Sequence, residues 1–122
     1  MDKKSALLMS TAALAYLGDS VLEVMVREKL VSDKKGDIHG RAKAYVTAVA
    51  QSDAAQRLMP VFTEDEADVY RRGRNNTHSA PRSATHAQYS RATGLECVFG
   101  YLYLAGEYER LRQLFDQCYN DG

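Results

Sequence analysis

Two acidic residues, Asp19 and Glu96, each lie inside an apolar stretch that is predicted to be helical. Asp19 falls between Leu17 and Val21, at the three-and-four spacing of one helix face. A carboxylate in apolar surroundings is costly unless hydrogen bonds or a cation compensate its charge. Two carboxylates in a partly apolar cleft favour a hard divalent cation with oxygen ligands, most simply Mg²⁺. The two residue types therefore predict a metal-binding cleft, provided that their helices meet.

Glycines beside both acids indicate how the helices could meet. Gly18 precedes Asp19, and Gly94 and Gly100 flank Glu96. A glycine costs about 1 kcal/mol in a helix relative to alanine, so its presence favours a close approach of two backbones. If the glycines allow that approach, the two carboxylates face each other. The alternative is structural: Asp19 bonds a neighbouring backbone group or an arginine, and the glycines only mark a helix crossing.

A basic segment separates the two acids. No acidic residue occurs between Val69 and Leu95. The segment contains five arginines and two histidines, namely Arg71, Arg72, Arg74, Arg82, Arg91, His78 and His86. The formal net charge of the whole chain is zero, so a polyanion must be bound by local charge rather than by total charge. We predict phosphate contact by this segment, although a charged loop is often only solvated.

The rest of the chain is predicted to be a series of helices. The predicted spans are about 5–30, 38 onwards, 50–59, 63–72, 85–105 and 107–119. Asp37 is a predicted N-cap, and Thr63 and Glu66 form a predicted capping box. We expect one all-α domain over residues 1–122, a compact bundle of about six or seven helices that completes its core by dimerising. No segment is long enough to span a bilayer and no signal peptide is evident, which predicts a cytoplasmic protein without a membrane partner.

Three segments resemble the motifs of one enzyme family. The sequence Leu-Gly-Asp-Ser-Val-Leu-Glu at residues 17–23 closely resembles the signature of the ribonuclease III family, and residues 93–102 resemble its second acidic motif. Between them, Arg-Arg-Gly-Arg-Asn at residues 71–75 is similar to the loop typical of the mini-ribonuclease III branch, which consists of the catalytic domain alone. The resemblance runs from about residue 14 to about residue 114.

The chain departs from the larger enzymes of that family at two positions. Those enzymes have an acid four residues before the first Asp and another three residues before the second Glu. Ala15 and Thr93 stand there in this chain, so the four-carboxylate site is reduced to Asp19 and Glu96. The reduction resembles the mini branch and leaves open whether one metal ion or two are bound.

The resemblance implies the fold of the ribonuclease III endonuclease domain and a dimeric, Mg²⁺-dependent endoribonuclease, with Mn²⁺ as a substitute. It implies that Asp19 and Glu96 bind the metal and carry the catalysis. The implied substrate is double-stranded RNA, cut to leave 5′-phosphate products, and specifically the precursor of the 23S ribosomal RNA of the large subunit. The residues predicted to bind RNA are Arg71, Arg72, Arg74, Asn75 and Arg82.

Tyr16 is the residue predicted to lie at the dimer interface. It stands three residues before Asp19, where the family has an aromatic residue that packs into a pocket of the partner subunit. The alternative is that Tyr16 packs within its own subunit. Two other functions also remain open. One is a non-catalytic module that binds RNA, for which Ala15 and Thr93 are the support; the other is a purely structural helical protein.

Overall fold

The computed structural model describes residues 1–33, 36–76 and 84–119, which form helices and no strand. This finding confirms the all-α prediction. The described helices are α1 (Lys3–Leu7), α2 (Thr11–Asp33), α3 (Ile38–Val46), α4 (Ala48–Leu58), α5 (Glu64–Asn75), α6 (His86–Leu104) and α7 (Tyr108–Tyr119), with a 3₁₀ turn at Met59–Val61.

Helix α6 is the central helix of the bundle. It packs against α2, α5 and α4, with α1 and α7 in further contact. Buried apolar residues occur all round it, among them Ala92, Leu95, Val98, Phe99 and Leu102. A helix that is apolar on all sides belongs in a core rather than at a surface. As a result, α6 presents different faces to different neighbours, and each face can carry a different group.

The predicted first helix is wrong at one point, because the chain breaks between α1 and α2. The Ser10 hydroxyl accepts a hydrogen bond from the backbone N–H of Ala13 at 3.1 Å, and so caps the start of α2. The Arg72 guanidinium donates to the backbone oxygens of Leu7 at 2.9 Å and Met9 at 3.0 Å. A helix end leaves such oxygens without partners. A residue distant in the sequence therefore supports the break.

Short polar side chains fix the starts of the next helices. Asp37 accepts from the N–H of Gly40 at 3.1 Å, as predicted, and starts α3. Thr47 starts α4 and divides it from α3 two residues before the predicted boundary. The predicted Thr63–Glu66 capping box is confirmed at α5. Thr85 and Gln88 form a second such box at α6, where it fixes the direction in which α6 enters the core.

A buried ion pair ties α7 to α5. Glu66 is 2 % exposed, and both of its carboxylate oxygens accept from Arg110, at 2.8 and 2.9 Å. The same guanidinium donates to the backbone oxygen of Val61. Both oxygens of Glu66 are thus used in a bidentate ion pair, which gives this residue a structural rather than a catalytic role.

Candidate active site

Helices α2 and α6 cross at very short range, and two glycines make this crossing possible. A Cβ atom on Gly18 would lie 1.6 Å from the backbone oxygen of Glu96. A Cβ atom on Gly100 would lie 2.1 Å from the backbone oxygen of Leu14. Both obstacles are backbone atoms, which cannot turn aside as the end of a flexible side chain can. Gly18 and Gly100 therefore set the separation of the two helices.

Gly94 serves a different contact from the one expected. A Cβ atom on Gly94 would lie 2.8 Å from both the ring and the backbone oxygen of Tyr70, a residue of α5. One on Gly73 would lie 2.7 Å from the Cys97 sulfur and 3.0 Å from the Gly94 Cα. Gly94 and Gly73 thus bring α5 close to α6. The expectation that Gly94 helps to join the two acids is corrected, since it lies on another face of α6.

The α2–α6 crossing brings the side chains of Asp19 and Glu96 together. Burial raises the pKa of Glu96 to about 8, and the Asp19 charge acts in the same direction. A hydrogen bond from protonated Glu96 to Asp19 raises that pKa further. Asp19 is exposed and Glu96 is partly buried, so the pair is open to solvent on the Asp19 side. Without a cation, Glu96 keeps its proton at neutral pH, because burial and the adjacent Asp19 charge both disfavour the ionised carboxylate.

The chemistry of this pair fits a largely hydrated Mg²⁺ ion. Such an ion keeps several of its waters and is held by one or two carboxylates. In residues 1–33, 36–76 and 84–119, no group of three or more His, Cys, Asp or Glu side chains is arranged to hold a metal. At the two positions where the larger enzymes have acids, Ala15 is apolar, and the Thr93 hydroxyl donates to the backbone oxygen of Tyr89 at 3.0 Å. Asp19 and Glu96 are therefore the candidate metal ligands.

Three of the residues predicted to bind RNA are exposed near the end of α5. They are Arg71, Arg74 and Asn75. Arg71 forms an ion pair with Asp68, one turn earlier in the same helix. The guanidinium carbon of Arg74 lies 5.7 Å from the centroid of the Tyr70 ring, in a cation–π arrangement. These side chains form a polar, basic surface at the end of α5.

The other two residues predicted to bind RNA have different positions. Arg72 is partly buried, and its two terminal nitrogens donate to the backbone at the break between α1 and α2. The structure therefore gives Arg72 a structural role, and we leave it out of the proposed RNA surface. Arg82 lies outside the described residues. Arg91 belongs to the acid-free segment but is not among the residues predicted to bind RNA. It lies on α6 and donates to the Ser52 hydroxyl at 3.1 Å.

Tyr16 is 84 % exposed in the single chain and does not pack in its own core. It lies on α2 one turn before Ser20, and Val24, which follows one turn later, is also exposed. A neighbouring cavity of about 320 Å³ lies between α2, the end of α6 and α7. Its apolar lining is formed by Leu17, Val21, Val24, Met25, Tyr103 and Leu111. An exposed aromatic side chain beside an apolar cavity is typical of a protein interface.

The family of the chain follows from comparison with known proteins. The sequence model of the Ribonuclease III domain matches residues 12–107. The chain belongs to the ribonuclease III family. Mini-ribonuclease 3 of Symbiobacterium thermophilum is 50% identical over 105 residues, which are 83% of this chain and 81% of that protein. Mini-ribonuclease 3 of a Thermoanaerobacter species is 37% identical over 120 residues, or 95% of this chain and 84% of that protein.

A solved structure has a similar fold. The crystal structure of a protein from Fusobacterium nucleatum superimposes with a TM-score of 0.85, covers 91% of this chain and 93% of its own, and is 26% identical. As a ribonuclease III of the mini type, the chain is an endoribonuclease. None of its described helices is both long and apolar enough to cross a membrane.

Proposed function

We propose that this ribonuclease III cuts double-stranded RNA with the help of Mg²⁺, and that Asp19 and Glu96 hold the metal. The observation that carries the proposal is the carboxylate pair at the α2–α6 crossing, in which Glu96 keeps a proton near neutral pH. When bound, Mg²⁺ lowers the pKa of a coordinated water and stabilises negative charge on the phosphate. Mn²⁺, which also accepts oxygen ligands, is expected to substitute.

The chain itself supplies the position and charge of the two ligands. Glu96 must lose its proton to act as a ligand, and Asp19 provides a second negative charge. Gly18 and Gly100 keep the backbones of α2 and α6 in contact, so the two carboxylates need little rearrangement to bind one cation. Such preorganisation is the main contribution that a rigid scaffold makes to electrostatic catalysis.

The exposed residues Arg71, Arg74 and Asn75 are proposed to contact the RNA backbone. An A-form duplex is recognised mainly by its shape, its phosphates and its 2′-hydroxyl groups. Arginine and amide side chains at the end of α5 suit such contacts better than the reading of base edges. We propose that the substrate is the precursor of 23S ribosomal RNA and that the products carry 5′-phosphates, on the strength of the resemblance to the mini branch.

We propose further that the protein acts as a homodimer in which Tyr16 enters the apolar cavity of a second copy. A two-fold axis uses the same surface twice, so the Tyr16 side chain of each copy would fill the cavity of the other copy.

Truncation of a buried aromatic side chain costs about 3–5 kcal/mol, and Tyr16→Ala removes two such side chains from one interface. Sedimentation over a concentration series should show a shift towards monomer, while Val31→Ala, at another exposed position of α2, should not. A Tyr16→Ala protein that remains dimeric at the lowest concentration would exclude this interface.

The catalytic proposal is tested by incubating a long RNA duplex with the protein, with and without Mg²⁺. We expect cleavage that requires the metal and is lost in Asp19→Asn. Asp65→Asn is the matched control, because it makes the same chemical change at an exposed position in the first turn of α5. Duplex binding without cleavage would instead support the non-catalytic RNA-binding module. Absence of both binding and cleavage would support the structural protein.

A further inference from the structure

The contact between α5 and α6 places two arginines around Tyr70. Tyr70 is 3 % exposed. The guanidinium of Arg74 lies over its ring at 5.7 Å from the centroid. Gly94 touches the same ring, and Arg91 lies one helical turn before Gly94 on the same face of α6. The two arginines therefore approach Tyr70 from two helices.

Arg91 is held in place by a third helix. Its terminal nitrogen donates to the hydroxyl of Ser52, which is 1 % exposed on α4. The guanidinium itself is only partly buried and keeps further N–H donors. Burial raises the pKa of the Tyr70 hydroxyl, and the charges of Arg74 and Arg91 act in the opposite direction. The effect of the two charges on this pKa requires both guanidinium groups to lie near the Tyr70 hydroxyl, in agreement with the contacts described above.

Five of the described arginines pair with carboxylates, namely in the pairs Arg27–Glu23, Arg41–Asp33, Arg71–Asp68, Arg110–Glu66 and Arg112–Glu28. Arg57 and Arg72 instead donate to backbone oxygens. Within the described part of the chain, neither Arg74 nor Arg91 forms such an ion pair. Two guanidinium groups without a carboxylate, one of them fixed by a buried hydroxyl, form a surface that attracts an anion.

We propose that Arg74 and Arg91 together form a binding site for backbone phosphates of RNA. The inference rests on the proposed function, since it assumes that an RNA duplex is the ligand. Arg91 lies five residues before Glu96, which is about 7.5 Å along the helix axis and about 140° around it. This position faces away from the metal pair, so a phosphate bound there is not the phosphate that is cut. The site contributes affinity and not chemistry.

The test is duplex affinity over a series of KCl concentrations, with a short RNA duplex and EDTA to prevent cleavage. Arg91→Ala and Arg74→Ala should each weaken binding by about tenfold, as expected for a charge-assisted hydrogen bond. Each should also reduce the slope of log affinity against log salt by about one. Arg91→Lys should keep most of that slope, because it keeps the charge. Arg27→Ala, which changes the net charge equally on α2, is the control and should have little effect.

Two further measurements separate this inference from its alternatives. With Mg²⁺ and a series of RNA concentrations that reaches saturation, Arg91→Ala should raise KM and leave kcat nearly unchanged. If Arg91 only ties α6 to α4 through Ser52, then Arg91→Ala and Ser52→Ala will lower the Tm and leave RNA affinity and salt slope unaltered; that result would overturn the site. A site for free anions would instead show stabilisation by inorganic phosphate that Arg91→Ala abolishes, with no change in RNA affinity, and would also overturn it. Failure of the parent protein to bind any duplex would contradict the proposed function itself.

Discussion

The two sides of α6 are built in the same way and carry opposite charges. On the α2 side, Gly18 and Gly100 allow close backbone contact, and the crossing joins two acids. On the α5 side, a glycine from each helix also allows a close contact, although a less tight one, and Arg74 and Arg91 lie beside it. Each side therefore gathers like charges that lack a compensating partner in the described chain.

In both contacts, the glycines and the charged side chains have different effects. On both sides of α6, the glycines set the distance between the helices and so the positions of the charged side chains, but they do not determine which ligand binds. The proposed ligand follows from the charge that the contact concentrates: a cation for Asp19 and Glu96, and an anion for Arg74 and Arg91. Concentrating like charges is unfavourable in a free protein, and the bound ligand relieves that repulsion. Each side can be disrupted separately, which makes the comparison testable.

The largest effect is expected from removing one charge on the acidic side. Asp19→Asn keeps the size of the side chain and should lower the cleavage rate by about a thousandfold or more, the loss typical of a removed electrostatic contribution to the transition state. The variant should remain folded. Above about pH 8, where Glu96 of the parent is ionised, the metal-free variant should be at least as stable as the parent, because the repulsion between the two carboxylates is gone. Single-turnover kinetics measure the cleavage rate, and thermal unfolding measures the stability. Parental cleavage by Asp19→Asn at saturating Mg²⁺ would remove Asp19 from the catalytic site.

The two glycine contacts should fail in different ways. Gly100→Ala forces α6 away from the Leu14 backbone and separates the two carboxylates, so it should weaken Mg²⁺ binding as well as lower the free energy of unfolding by about 1–3 kcal/mol. Gly94→Ala is the matched control on the same helix, since it collides with Tyr70 on the other face. It should lower stability by a similar amount and leave Mg²⁺ affinity, measured by calorimetry, much closer to that of the parent. Equal metal affinities in the two variants would contradict the role given to the α2–α6 crossing.

The stability of the metal-free protein should fall as the pH rises. The Glu96 carboxyl has an ordinary pKa of 4.5 and a pKa of about 8 in the folded chain. Between these values the folded protein keeps a proton that the unfolded chain has lost, so the free energy of unfolding decreases with pH and levels off above about 8. Over the same interval, Mg²⁺ affinity should increase by up to about tenfold per pH unit, because the ion displaces that proton.

Glu96→Gln is the variant that checks this pH dependence. It should flatten the pH profile and stabilise the metal-free protein at about pH 8 relative to the parent. Urea denaturation in EDTA, from about pH 5 to about pH 9, measures both effects. Glu109→Gln, at an exposed position of α7, should reproduce the profile of the parent. A parent protein whose stability is constant over this interval would show that the two carboxylates do not share a proton.

The smallest effect distinguishes two neighbouring arginines of α5. Arg72→Ala leaves the backbone oxygens of Leu7 and Met9 without their donor, and should lower the free energy of unfolding by about 1–3 kcal/mol. Its duplex affinity should change less than that of Arg74→Ala, which should bind RNA more weakly and unfold like the parent. Chemical denaturation and duplex titration of both variants measure the contrast. The reverse pattern would return Arg72 to the RNA surface.

The sequence predicts the main elements because their signals are local. The apolar spacing around Asp19 and the Thr63 capping box indicate helices without reference to the rest of the chain, and both helices are present. The carboxylate pair was predictable for a further reason. Both a glycine and a carboxylate lower the stability of an apolar helix, so finding them side by side indicates that they have a function. The resemblance to a known family supplied the roles of the residues, which spacing alone does not give.

The predictions that failed depended on contacts between distant residues. The break between α1 and α2 is supported by Arg72, which is more than sixty residues away. The same contact explains why Arg72 cannot be distinguished from Arg74 by sequence, since both belong to one basic run. The sequence does not single out Arg91, because its Ser52 partner lies on another helix. Only the fold shows which arginine has a neutral partner and which has a carboxylate partner.

The position of Glu96 and Arg91 on one continuous helix has a thermodynamic consequence. A shift of α6 that improves the fit of a cation at Glu96 also moves Arg91, and a shift induced by a phosphate at Arg91 moves Glu96. The two equilibria therefore share a coupling free energy, which by reciprocity has the same value in both directions. If Mg²⁺ tightens the binding of RNA by some factor, RNA must tighten the binding of Mg²⁺ by that same factor. The metal and the substrate then each raise the occupancy of the other site, whichever of them binds first.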